Sequence, residues 1–157
     1  MAEVVEPTRV VGVGQRLAGD DGVGREVVER LRAQGIAATG VDDGAGLLNI
    51  LVSGASRVLV IDAVVGGGMP GTVRVLDRAD LENGPRPVSS HGIGVPEAIE
   101  LGERFNPALQ VILIGISIDP PNSLREGLSP KVAAAVDEAA KQVTSLIKRS
   151  SRGSEPE

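Results

Sequence analysis

Three aspartates and the single histidine stand where chemistry could be done. Asp20 and Asp21 lie side by side after the glycine pair Gly12-Val-Gly14, Asp62 ends the apolar run Arg57-Val-Leu-Val-Ile, and His91 sits between Ser90 and Gly92. Carboxylates and an imidazole make a small set of hard-to-borderline ligands that could hold a divalent cation or exchange protons. Plainer readings exist for each. An aspartate before a helix caps it, worth about 1 kcal/mol, but one suffices and here there are two. Asp62 could be satisfied by the backbone N–H groups of Gly66 to Gly68, and a lone histidine is often a surface residue. Asp42-Asp43 before Gly44 reads as turn chemistry, with no further role assigned. Gly12-Val-Gly14 could also open a dinucleotide fingerprint. Leu17 holds the place of its third glycine, however, and two adjacent acids would repel a pyrophosphate there. No Gly-x-x-x-x-Gly-Lys-Ser/Thr loop occurs, and Ser89 and Ser90 precede His91 too closely to be aimed by it.

These residues need elements to carry them. Val10 to Val13 reads as a strand running into the glycine loop. Val23, Val27 and Leu31 recur every fourth position between charged residues, which predicts an amphipathic helix closed by Gly35. A second strand over 36–41 and a short buried helix over 47–52 follow. Arg57 to Val65 is apolar on both faces, as a central strand covered on both sides must be, with Asp62 as the exception. Thr72 to Leu76 alternates like an antiparallel edge strand, and 80–87 is polar loop. A helix over 95–104 has Pro96 in its first turn, 109–116 is another buried strand, and the last helix opens with Ser129 as cap and Pro130 in first position. Strand and helix alternate throughout. The fold class is therefore α/β: a three-layer sandwich with a mostly parallel twisted sheet, helices on both faces and one antiparallel edge strand. In such sheets ligands bind beyond the carboxyl ends of the strands, and Asp20, Asp21, Asp42, Asp43 and Asp62 all follow strands, whereas His91 opens a helix after a loop and is not placed by that rule.

Composition bounds the rest. A chain of 157 residues suits one domain, here 9–149, with a flexible N-terminus over 1–8 and a disordered tail over 150–157. With no cysteine, any metal must be held by oxygen or imidazole. A net charge of −5 and 1% aromatic residues argue against a nucleic-acid partner. No apolar run is long enough for a membrane and the start lacks the basic region of a signal peptide, so a cytoplasmic, monomeric protein is expected.

Four segments together resemble the hydrogenase maturation endopeptidases, which trim the C-terminus of the large subunit of nickel–iron hydrogenases. They are Gly12-Val-Gly14 through Leu17-Ala-Gly-Asp-Asp-Gly-Val-Gly24, Val60-Ile-Asp62-Ala-Val, Ser90-His91-Gly-Ile-Gly, and Ile114-Gly-Ile with Gly127-Leu-Ser-Pro-Lys-Val132. Gln15 stands where the family usually has Asn, Asp42-Asp43-Gly44-Ala45-Gly46 lacks the family's threonine, and Ser117-Ile-Asp119-Pro-Pro lacks its frequent Glu-Pro. The resemblance implies an endopeptidase acting on the nickel-loaded large-subunit precursor. It implies Asp21, Asp62 and His91 as metal-binding and catalytic residues, and nickel supplied by the substrate with no organic cofactor. Asp20 is a candidate base. The alternative is a non-catalytic maturation checkpoint that senses nickel through the same residues.

Overall fold

The elements follow in the order β1 (Arg9–Val13), a 3-10 turn (Gly19–Gly22), α1 (Val23–Ala33), β2 (Thr39–Val41), α2 (Gly44–Leu51), β3 (Arg57–Val65), β4 (Val73–Leu76), β5 (Arg86–Pro87), α3 (Val95–Phe105), β6 (Gln110–Ser117) and α4 (Pro130–Gly153). They come from a computed structural model, which describes residues 8–15, 19–66, 68–77, 79–80, 86–87, 92–120 and 127–153.

The strands form one sheet in the order β2-β1-β3-β6-β4. β1, β2, β3 and β6 are parallel, and β4 runs antiparallel along β6 at the edge, as its alternating pattern predicts. β3 lies in the middle because its side chains can be buried on both faces. Leu59, Ile61 and Ala63 point to one layer, where Val23, Val27 and Leu31 of α1 and Val132, Val136 and Ala139 of α4 meet Ile114 and Ile116. Val58, Val60 and Val64 point to the other, against Leu47 and Leu51 of α2 and Val95, Ala98 and Ile99 of α3. Each such aliphatic side chain withdrawn from water contributes about 1.5–3 kcal/mol, so aliphatic residues alone fill both layers. Asp62 shares the parity of Val60 and Val64, and so faces the α2/α3 layer.

β1 continues through α1 to β2 on one side of itself, and β2 returns through α2 to β3 on the other. The strand order therefore reverses between β1 and β3, and the crevice beyond their carboxyl ends is where this architecture holds ligands.

Several boundaries differ from the sequence reading. β2 is limited to Thr39–Val41 because β1 offers it partners only from Val11 to Val13. Residues before it are used in closing α1: Gly35, at φ +81°, donates to Arg32 O, and Ile36 N–H reaches back to Leu31 O at 2.9 Å. α2 begins at Gly44, earlier than expected, because Asp43 caps it by accepting from Gly46 N–H at 3.0 Å. Within 80–87, Arg86 and Pro87 pair antiparallel with Val65 and Val64 of β3, so that stretch is not all loop. α4 continues to Gly153, past the expected boundary at 149.

Candidate functional site

The site is built where the loop after β1 folds back over the strand ends. Gly14, at φ +150°, lies so close to the chain that a Cβ there would be 2.2 Å from Asp21 O. Gly24 is packed just as closely: a Cβ on it would stand 2.5 Å from both Val13 O and Ile61 O. The glycines thus serve the approach of the 3-10 turn and α1 to β1 and β3, and the turn is set down beside Asp62.

Adjacent side chains on a 3-10 turn diverge by about 120°, given its three residues per turn, so Asp20 and Asp21 face different neighbours. Asp20 reaches the start of α4. Its Oδ1 accepts from Ser129 N–H at 2.7 Å and its Oδ2 from Ser129 Oγ at 2.8 Å. This corrects one expectation: neither aspartate caps α1, whose N-cap Gly22 has no side-chain cap bond. Both oxygens of Asp20, the candidate base, are engaged by Ser129. Ser129 starts α4 through its carbonyl, which accepts from Ala133 N–H at 2.8 Å, while its hydroxyl is given to Asp20.

Asp21 makes no hydrogen bond or ion pair among the described residues. It is half-buried, and burial raises its pKa above the ordinary carboxylate value. Asp62 is 1% exposed. Its carboxyl is pushed well above the usual range, first by burial and then by the charge of Asp21, against the weaker opposing pull of a bond from Ala63 N–H to Oδ1 at 2.8 Å. That bond comes from its own neighbour; of the glycines after β3 that the sequence suggests, neither Gly66 nor Gly68 supplies one, and Gly67 lies outside the described residues. Oδ2 is buried and has no partner among the described residues. Two partly or fully buried carboxylates, one raised further by its neighbour's charge and with an oxygen unpartnered among the described residues, form a donor set that a cation would complete.

His91 lies outside the described residues, so only its flanks bear on the site. Pro87 pairs with Val64, two residues beyond Asp62, on the side of β3 that β1 occupies lower down. On the other flank the backbone of Ile93 and Gly94 packs on α2, where a Cβ on Gly44 would be 2.3 Å from Ile93 O. Both flanks are at the carboxyl end of the sheet. Among the described residues no group of three His, Cys, Asp or Glu comes together, and the structure itself joins Asp21 to Asp62.

The neighbouring acids have structural work. Asp42 pairs with Arg25 at 2.6 Å on the surface, and Asp43 is the α2 cap. Gln15 is exposed. One buried group escaped the sequence reading: Ser117, opposite Val64 on β6 and fully buried, whose Oγ has no partner among the described residues. Nothing in the local sequence distinguishes it from an ordinary strand-end serine.

Comparison with known proteins places the chain in a family and matches its fold. Residues 26–146 match the family described as hydrogenase maturation protease. A Methanocaldococcus jannaschii protein provisionally named as a hydrogenase maturation protease is 32% identical over 149 residues, covering 89% of this chain and 96% of its own. Among solved structures, the nickel–iron hydrogenase maturation protease HybD from Thermococcus kodakarensis superposes with a TM-score of 0.75 at 23% identity, over 90% of this chain and 99% of that one. The hydrogenase maturating endopeptidase HybD from E. coli gives 0.72 at 25% identity, over 92% and 93%. No helix among the described residues is long and apolar enough to cross a membrane.

Proposed function

We propose, from the premise that the chain belongs to the hydrogenase maturation protease family, that it removes a C-terminal peptide from the nickel-loaded precursor of a nickel–iron hydrogenase large subunit. Asp21, Asp62 and His91 contact the nickel that the precursor carries. The observation behind this reading is the buried Oδ2 of Asp62, unpartnered among the described residues, beside the half-buried Asp21. Burial disfavours the charge of both carboxylates and Asp21 adds to the penalty on Asp62, and a divalent ion arriving with the substrate relieves both at once.

Oxygen ligands and one imidazole leave open positions on the ion, so nickel can stay with its own ligands in the precursor while the protease holds it. The contact then fixes the scissile bond relative to the site and places a Lewis acid near its carbonyl or a water. Recognition depends on nickel having been inserted. The protein acts as a cytoplasmic monomer and needs no organic cofactor.

The test is incubation with nickel-loaded precursor, with the product mass read directly. Wild-type protein shortens the precursor, and Asp21→Asn, Asp62→Asn and His91→Ala each fail while remaining folded. Precursor bound by the wild type yet left uncut would move the reading to a nickel-sensing checkpoint.

A further inference from the structure

We infer that Asp20 is a positioning residue: it latches the 3-10 turn to the start of α4 and thereby sets the direction in which Asp21 enters the site. This deepens the reading of Asp21 as a nickel contact and rests on it.

The turn carrying both aspartates is four residues long, too short to hold itself, and it begins and ends on glycine, at Gly19 and Gly22. Asp20 ties it to a point 109 residues away through both carboxylate oxygens, at 2.7 and 2.8 Å. The attachment is well chosen. Ser129 N–H lies at the N-terminus of the longest helix, where the dipole favours an anion, and Pro130 sets that helix's first turn. α4 is held in turn by Val132, Val136, Ala139 and Val143 in the core, so the latch ends on a rigid element. Because successive residues of a 3-10 turn point about 120° apart, fixing Asp20 against α4 leaves Asp21 one direction, toward the end of β3. A displacement of about 1 Å at a contact of this kind can cost about a hundredfold in rate.

Asp20→Ala removes both bonds. In Asp20→Asn the amide oxygen still accepts from Ser129 N–H, while its NH2 donates to Ser129 Oγ, which turns to accept. A base, by contrast, cannot be replaced by an amide. Two readouts are taken on the full chain: hydrogen exchange without substrate, and steady-state cleavage of nickel-loaded precursor. In Asp20→Ala the amides of 19–24 exchange at least about tenfold faster while those of β3 and β6 hold their rates. Its kcat drops at least about tenfold with KM within about threefold. Asp20→Asn stays within about threefold of wild type in both.

Three results overturn the inference: unchanged exchange at 19–24 in Asp20→Ala, faster exchange spread evenly over the whole fold, or wild-type kcat despite a loosened turn. Inactivity of Asp20→Asn with wild-type exchange also overturns it, since Asp20 would then move protons. If the wild type cuts no precursor, the proposed function fails separately, and exchange at 19–24 alone decides the latch.

Discussion

Arg57 and Asp62 sit at opposite ends of the same central strand, and the fold treats their charges in opposite ways. At the amino end the Arg57 guanidinium, partly desolvated, donates to Thr8 Oγ1 at 3.4 Å and to Leu146 O at 3.3 Å, stitching β3 to the last helix. At the carboxyl end Asp62 is more deeply buried, has a like charge beside it, and has one oxygen without a partner among the described residues. Leaving a buried polar group unmade costs about 1–3 kcal/mol, a large share of a domain's net stability. The fold satisfies the charge of Arg57, whereas at Asp62 the proposed ligand contact would supply what the described residues do not.

The sharpest way to break this comparison is Asp62→Asn. Cleavage is expected to fall by more than about a hundredfold. The same change should raise Tm at neutral pH by a few degrees, about 2–4 °C for each kcal/mol in a chain of this size. The sign follows from linkage. The folded-state pKa of Asp62 is raised, so folding favours its protonated form, and the wild type loses stability as pH rises from the ordinary carboxylate range through the raised value. The advantage of Asp62→Asn is therefore largest at neutral pH and shrinks toward acid. Calorimetry across that range that finds the variant no more stable than wild type at neutral pH would mean Asp62 is satisfied after all.

Arg57→Met reports on the other end. Losing two hydrogen bonds that each contribute about 1 kcal/mol or less should lower Tm by roughly 2–4 °C and leave kcat/KM within about twofold. A large loss of cleavage with unchanged Tm would erase the distinction between the ends. The smallest effect belongs to Asp42→Ala, which removes a surface pair with Arg25 whose aspartate side chain is 72% exposed. Such pairs contribute little, so Tm should move by no more than about 2 °C and cleavage not at all. A larger drop in cleavage would place Asp42 in the site.

Much of the frame was legible because it is local. The unbroken apolar run ending in Asp62 marks the central strand, fourfold spacing marks α1, and Pro130 marks the start of α4. The glycines were legible as a tight loop, though their purpose, backbone contact with Asp21, Val13 and Ile61, depends on how the turn packs. What separates Asp20 from Asp21 is a partner 109 residues away, and no neighbouring residue signals it. The short length of β2, the pairing of β5 and the orphaned hydroxyl of Ser117 likewise come from which strand lies alongside, not from local propensity. Asp43 shows the converse. Its capping role was available in the sequence as an acid before a glycine-led apolar run.

The account turns on nickel arriving with the substrate, and one measurement addresses that directly. Protein stripped with chelator, and then freed of the chelator, is offered the large-subunit precursor with and without inserted nickel, and the mass of the product is followed over time. The account predicts that the stripped protein shortens the nickel-loaded precursor and leaves the nickel-free form uncut. Efficient processing of the nickel-free precursor, or cleavage that returns only when zinc is added to the protease, would contradict it.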